Sequence, residues 1–232
     1  MLFTLVDPHR GYEQRYHRWY ERDHFYSNCL TGPGLFAGRR FVAPWVLKTA
    51  RFGDARAWGR PLHAGSFLAV YWIEDGRHDE YLDWSSRRTD ELGRSGRLFQ
   101  ERDHVHTQLY QRAGCVSRDA DPVPLELALD HPFAGLAVIA GREGAPRPMP
   151  AGGPIAVSSV WVPAPARQDQ PDLLARQAME LSLLFLDETP ADAWDEVRAA
   201  TEERAVVWAA GFVPTVPGTD RYVDELWDPR EE

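Results

Sequence analysis

Lysine is nearly absent from this chain, and several other common features are missing with it. Lys48 is the only lysine among the 26 basic residues, and the formal net charge is −9 over 232 residues. A surface of this sign repels phosphate groups, and no basic stripe offsets it, so we expect no nucleic acid partner. The chain also has no apolar run of about 18 residues, so no membrane-spanning helix is predicted.

Cysteine is scarce as well. Cys29 and Cys115 form no CxxC pair and have no metal-binding spacing, so we expect two free, buried thiols, with a disulfide between them as the alternative. The first residues, MLFTLVDPHRGYEQ, reach a charge at Asp7 and lack the basic and long apolar segments of a signal peptide. The predicted location is therefore cytoplasmic.

The motifs that bind nucleotides or build a nucleophile elbow are absent too. No GxGxxG segment follows a predicted strand, and no Walker A sequence occurs. Ser85 and Ser86 lack the flanking glycines that would place a nucleophile on a strand-to-helix turn. No cofactor is predicted from the sequence.

Hydrophobic and aromatic residues are plentiful: 44% of the chain is hydrophobic, with 9 Trp, 8 Tyr and 10 Phe. This is enough to form the core of one sizeable domain or two small ones. Residues 66–74 (SFLAVYWIE) give the clearest strand, because aromatic and β-branched side chains favour strands. In the first half we also predict strands at 1–6, 35–43 and 104–112, helices at 11–29 and 79–99, and an irregular segment at 45–64.

The order strand–helix–strand–strand–helix–strand over residues 1–118 is that of a ferredoxin-like split βαβ unit. Residues 119–132 are interpreted as a connector, and residues 133–232 as a degenerate second α+β unit. Its predicted strands are 133–141, 155–162, 180–186 and 212–216, and its predicted helices are 173–179 and 190–209. The predicted fold class is α+β, with ferredoxin-like units whose antiparallel sheets pack as an α/β barrel within one chain.

The first helix and the strand after it carry a recognisable pattern. Its members are Tyr16, Trp19, Tyr20 and His24 on one helix face, then Gly32-Pro33-Gly34, then Arg39, Arg40 and Phe41. The pattern resembles the dimeric α/β-barrel superfamily, and its EthD-like and small monooxygenase-like branches look most similar. The likeness covers residues 1–45, and the strand order extends it to residue 118.

The resemblance implies that the aromatic helix packs on the sheet and that His24 lies near the mouth of the barrel. It also implies either a monomer that is a pseudo-dimer of tandem units, or a homodimer. It leaves the chemistry open, because this fold carries cofactor-free oxygenases, isomerases, cyclases, dehydratases and haem enzymes.

His24 is a candidate general acid or base, since an imidazole has a pKa near neutrality. The alternative is that His24 bonds the turn backbone and stabilises the end of the helix, where positive charge is favoured.

His104 and His106 lie two residues apart on a predicted strand, so we expect them to share a face with Gln108 and Tyr110. If that face points inward, the four side chains form a polar cluster in an apolar cavity, as in selective ligand pockets. The alternatives are a purely structural role, or a metal site in which His63, His78 or a carboxylate is the third ligand.

Two further pairs of neighbours should divide between the faces of their strands. Tyr71 and Trp72 must point to opposite sides, so one of them faces the cavity. Arg39 and Arg40 must also diverge. A cavity-facing arginine could hold a carboxylate or an enolate oxygen, and a solvated arginine is the alternative.

We therefore predict a cofactor-independent enzyme that acts by proton transfer on a small, apolar, cyclic or aromatic metabolite, as an isomerase, cyclase, dehydratase or monooxygenase. In this hypothesis His24 moves the proton, His106 and Tyr110 orient the substrate, and Arg39 or Arg40 holds an oxyanion. The remaining predicted substrate-binding residues are Tyr20, Trp72 and His104. The alternatives are a non-catalytic ligand-binding or accessory protein with the same cavity, and a haem or metal enzyme.

Overall fold

The computed structural model describes residues 1–142, 146–166, 174 and 179–230. The strands in this part of the chain are β1 (Leu2–Pro8), β2 (Leu35–Val42), β3 (Phe52–Gly53), β4 (Phe67–Ile73), β5 (Arg102–Ser117), β6 (Gly135–Gly141), β7 (Ile155–Pro163), β8 (Glu180–Leu186) and β9 (Val206–Pro214). The helices are α1 (Glu13–Trp19), α2 (Trp45–Thr49), α3 (Ala55–Trp58), α4 (His78–Arg94) and α5 (Trp194–Ala199). After α1 the chain continues in two π-helical segments, Tyr20–His24 and Tyr26–Leu30.

The first four long strands lie side by side in the order β2-β4-β1-β5, and each neighbouring pair is antiparallel. This is the strand order of a ferredoxin-like unit, with α1 and α4 in the two crossover connections. The predicted α+β class, with antiparallel sheets built from such units, is confirmed.

The strands of the second half follow in the order β7-β8-β6-β9, which repeats the second-third-first-fourth arrangement. The far half of β5 pairs with β7 over Tyr110 to Ser117. On the other side β9 reaches β2 through only two pairs, Phe41 with Pro214 and Val42 with Val213. The strands therefore form a ring. Its two halves are joined by many residue pairs between β5 and β7, and by two residue pairs between β2 and β9. The division into units at 1–118 and 133–232 stays a prediction.

Strand β4 shows why the sheet has two apolar faces. All seven of its residues are buried, because both faces of this strand are covered. Its sequence is therefore a continuous apolar run without alternating polar residues. Leu68, Val70 and Trp72 belong to the core inside the ring, whereas Phe67 and Tyr71 pack under α1 and its π-helical continuation.

The inside of the ring is largely filled with side chains. The indoles of Trp58 and Trp208 stack with their ring centroids 4.8 Å apart and their planes nearly parallel. Phe3, Phe185 and Phe212 are fully buried in the same cluster. Burial of aromatic side chains on this scale dominates the stability of a core.

Two predicted segments differ from the structure. Residues 45–64 are not irregular, because α2, β3 and α3 form there and β3 pairs with β9. The helix predicted at 190–209 is wrong over its last part: α5 ends at Ala199, and β9 begins at Val206. Pairing of β9 with β6 buries Val207 and Trp208, and this tertiary gain overrides the local helical pattern.

Three further sequence predictions concern the helix at 173–179, the two thiols and the absence of a membrane-spanning helix. The helix predicted at 173–179 falls on residues of which all but 174 and 179 lie outside the described ranges. Both thiols are free, as predicted, and Cys29 is buried, but the predicted burial of Cys115 is wrong because it lies exposed on the far half of β5. Among the described residues, no helix has both the length and the apolar character needed to cross a membrane.

Candidate functional site

A cavity of about 550 Å³ lies at one end of the ring, where the end of β4 and the start of α4 meet β5 and β7. We call it the end cleft. Its inner wall is formed by Trp72 of β4 and Trp161 of β7. Its rim carries exposed charged side chains, namely Glu74, Asp75, Arg112 and Glu126. The end cleft thus combines an apolar inner wall with a charged rim, which is the usual composition of a small-molecule site.

The two tryptophans of the wall stack on each other. Their ring centroids are 4.9 Å apart and their planes differ by 14°. The indole nitrogen of Trp161 donates a hydrogen bond to the Ser159 hydroxyl at 2.9 Å. The indole nitrogen of Trp72 is buried and has no acceptor among the described residues. A buried donor without a partner is rare in folded proteins.

His78, at the first position of α4, is the imidazole that lines the end cleft. Burial lowers its pKa below the usual value of 6.5, and the nearby carboxylate of Asp75 only partly opposes this shift. Its Nε2 atom lies 3.3 Å from the nitrogen of Met1. At neutral pH the imidazole is therefore uncharged and can accept a proton.

The rim charges are unequally compensated. The Nη1 atom of Arg112 donates to Glu126 at 2.7 Å, and Arg77 forms an ion pair with Glu74 at 3.3 Å. Asp75 makes no hydrogen bond and no ion pair with another residue in the described part of the chain. The rim is net negative, and Asp75 is its least compensated carboxylate.

His106 and Tyr110 share one face of β5, as predicted from their spacing, and the structure shows that this face points into the ring. The Nε2 atom of His106 lies 2.7 Å from the Tyr110 hydroxyl oxygen. Burial, with a smaller contribution from Arg60, lowers the pKa of His106 to about 4, and burial raises the pKa of Tyr110. Tyr110, a predicted substrate-binding residue, borders the end cleft, but it is 0% exposed and His106 is 3% exposed, so the pair is closed to solvent.

His104 does not share the inward face of β5, and the predicted shared face is wrong for this residue. His106 pairs with Leu5 of β1 and His104 with Val6, so Val105 has no partner in the ladder. This β-bulge reverses the alternation of side chains. His104 therefore lies on the helix-covered face, where its Nδ1 atom is 2.9 Å from the Thr107 hydroxyl and burial lowers its pKa to about 4.

His24 also lies on the helix-covered face of the sheet, away from the end cleft. Its ring stacks on Trp19 at 4.4 Å, and its Nδ1 atom has no partner among the described residues. Burial, reinforced by the charges of Arg102 and His104, lowers its pKa to about 3.

Tyr20 lies beside His24, and its hydroxyl oxygen is 2.7 Å from that of Tyr71. The sheet thus separates His24 and Tyr20 from His106 and Tyr110. The structure does not assemble the four side chains into one site, and the catalytic roles proposed for the two histidines stay predictions.

The two arginines diverge as predicted. Arg40 is 5% exposed on the helix-covered face, with its guanidinium 4.3 Å from the centroid of the Tyr20 ring. Arg39 points the other way, and its Nη1 atom donates to the carbonyl oxygens of Leu129, at 3.1 Å, and His131. Neither arginine lines the end cleft. Trp72 does face the ring interior and Tyr71 the opposite side, as the alternation predicted.

Sequence reasoning missed the residues that give the end cleft its polar character. Asp75, His78 and Arg112 come from a turn, the start of a helix and the middle of a long strand, and His78 was considered only as a possible metal ligand. One signal was available: Glu74-Asp75-Gly76 follows directly after the clearest strand, and His78 starts the next helix. Among the described residues, no group of three or more His, Cys, Asp or Glu side chains is arranged to hold a metal ion.

Comparison with known proteins assigns neither a family nor an activity to this chain. No protein-family model matches the chain, and no curated protein matches it. Among solved structures it is similar to one described as "Crystal structure study of anthrone oxidase-like protein", at 11% sequence identity and a TM-score of 0.48, covering 93% of this chain and 90% of that chain. A likeness of this degree assigns neither a family nor an activity, so membership of the dimeric α/β-barrel superfamily stays a prediction.

Proposed function

We propose that the protein is a cofactor-independent enzyme that binds a small planar aromatic molecule in the end cleft and exchanges a proton with it through His78. One observation carries this proposal: an uncharged imidazole and a stacked pair of indoles line the same cavity. The indoles provide a flat apolar surface, and the imidazole provides a base in the lining of the same cavity. The reaction class is the one predicted from the sequence, with His78 in place of His24.

In this proposal Nδ1 of His78 abstracts a proton from an activated C–H or O–H bond, because Nε2 faces the amino nitrogen of Met1 at 3.3 Å. The neutral imidazole accepts the proton and becomes an imidazolium, and the negative charge of Asp75 stabilises that imidazolium. Returning the same proton to a different atom of the substrate completes an isomerisation, and the enzyme ends in its starting state. The tryptophan wall limits the access of water and strengthens these electrostatic interactions.

A second candidate is a non-catalytic binding protein with the same cavity. The specific observation in its favour is that the His106–Tyr110 pair is sealed inside the core. That pair therefore cannot supply a second proton-transfer group to a ligand in the end cleft without movement of the core. Binding without turnover needs only the indole wall and the rim.

Exchange of the C1 protons of 2-tetralone in D₂O, followed by NMR, tests the proposal. The ketone is a planar, apolar probe whose exchange requires only a base. We expect the wild-type protein to accelerate exchange at least about tenfold over buffer, and His78→Gln to abolish the acceleration while calorimetric binding of the probe remains. His9→Gln changes an exposed histidine outside the cleft and is the matched control.

The possible results separate the two candidates. Binding of 2-tetralone with equal exchange in wild type and His78→Gln supports the non-catalytic protein. No binding to the wild type at millimolar probe, or binding that Trp161→Leu leaves unchanged, contradicts the proposal that the end cleft is a ligand site.

A further inference from the structure

The charges at the rim of the end cleft indicate which ligands it selects. We infer that the end cleft is specific for an organic cation, namely an ammonium group attached to a planar aromatic ring system. This inference rests on the proposed function, because it names the ligand class of the same site. It does not depend on whether the bound molecule is turned over.

The carboxylates that line the end cleft outnumber its guanidinium groups, which favours a cationic ligand. Three carboxylates, those of Glu74, Asp75 and Glu126, line the end cleft, and Arg112 is the guanidinium in its lining. Arg112 is occupied by Glu126, and Glu74 is paired with Arg77. The Met1 amino group also lines the end cleft near Asp75, but burial lowers its pKa to about 5, so it is uncharged at pH 7.5. An incoming anion would therefore meet net negative charge, whereas an ammonium group would find the carboxylate of Asp75 without a cationic partner.

The two indoles of the inner wall, Trp72 and Trp161, also favour a cationic ligand. Indole rings attract cations through the negative potential of their faces more strongly than other aromatic side chains do. The Trp72–Trp161 stack is 3% and 6% exposed, so the attraction acts where water is largely excluded. An ammonium group held between the indole wall and the carboxylate of Asp75 would gain from both features at once.

Three probes that share one ring system test the charge preference. These are 2-naphthylmethylammonium, 2-naphthylmethanol and 2-naphthoate, and their binding is measured by isothermal titration calorimetry at pH 7.5. We expect the ammonium compound to bind at least about tenfold more tightly than the alcohol, and the carboxylate not to bind. Raising the salt concentration from 50 to 500 mM should weaken binding of the ammonium compound and leave the alcohol unaffected.

The variant Asp75→Asn isolates the contribution of the free carboxylate. It should remove most of the tenfold preference for the ammonium compound and leave the affinity for the alcohol within about twofold. Asp90→Asn is the matched control, because it makes the same change of charge at an exposed position of α4 that does not line the end cleft.

The outcomes distinguish this inference from the proposed function. Equal binding of the ammonium compound and the alcohol, or tighter binding of 2-naphthoate, overturns the cation preference and leaves the end cleft as a ligand site. An ammonium preference that persists in Asp75→Asn overturns the assigned role of Asp75. Failure of all three probes to bind the wild-type protein contradicts both the inference and the proposed function.

Discussion

The Nε2 atom of His106 lies 2.7 Å from the hydroxyl oxygen of Tyr110, and both side chains are buried inside the ring of strands. This pair is the polar centre of an otherwise apolar core. Each partner supplies the hydrogen bond that the other would lack. The pair therefore fixes the inward face of β5 next to the end cleft without being open to a ligand.

The first prediction concerns the response of stability to acid. The pKa of His106 is lowered from 6.5 to about 4, so the unfolded chain binds more protons than the folded chain between these values. Its contribution to stability is complete above about pH 6.5 and is lost as the pH falls towards 4. His106→Gln should therefore lose less stability than the wild type between pH 7 and pH 5, as measured by urea unfolding.

The same comparison has a built-in control. His63→Gln removes an exposed imidazole that forms no ion pair among the described residues, and it is the control for the loss of a histidine. If His106→Gln and the wild type lose the same free energy of unfolding between pH 7 and pH 5, the imidazole of His106 is not the neutral buried group described here.

The second prediction concerns His24. Its Nδ1 atom has no partner, and the pKa of its ring is lowered to about 3. An apolar side chain of similar size removes an unsatisfied polar atom, so His24→Leu should leave the free energy of unfolding at pH 7 unchanged or raise it by about 1 kcal/mol. Proton exchange and binding in the end cleft should be unaffected, because His24 lies on the other face of the sheet. Loss of exchange in this folded variant would instead support the catalytic role predicted from the sequence.

The third prediction concerns the chain's only lysine. The Nζ atom of Lys48 donates to the Ser66 hydroxyl at 2.6 Å and lies 3.8 Å from Asp7, and burial lowers the pKa of Lys48 to about 8. Asp7→Asn should destabilise the protein by about 3 kcal/mol, because it leaves a buried ammonium without its counter-charge.

The matching double variant tests that explanation. Adding Lys48→Met to Asp7→Asn removes the stranded charge, so part of the lost stability should return in chemical unfolding. If the two substitutions are simply additive, the carboxylate and the ammonium do not stabilise each other.

The fourth prediction compares two glycines with positive φ. Gly53, in β3, has a φ of 140°, and a Cβ there would collide with the carbonyl oxygen of Val207 in β9. Gly59 has a φ of 76° and open space around it. Gly59→Ala should cost about 1 kcal/mol through backbone strain, and Gly53→Ala should cost more because the β3–β9 pairing must also shift. Equal losses in thermal unfolding would show that this pairing does not constrain the position.

Much of the first half could be predicted because its signals are local. The apolar run before Asp75-Gly76 specified β4, and the aromatic face of residues 11–29 specified a helix packed on the sheet. The division of Tyr71 from Trp72, and of Arg39 from Arg40, followed from the alternation of a strand. In the second half, α5 is short and β9 replaces the end of the predicted helix, since pairing across the sheet outweighed the local pattern.

The sequence by itself determined the α+β class, the four long strands and the two main helices of the first half, and the divergence of Tyr71 from Trp72, because these depend on neighbouring residues and on fixed side-chain periods. Only the tertiary structure decided which polar groups meet. A single bulge at Val105 moved His104 to the opposite face from His106, and contacts between distant segments placed Asp75, His78 and Trp161 around one cavity. Such groupings depend on register and on long-range packing, which no local pattern encodes.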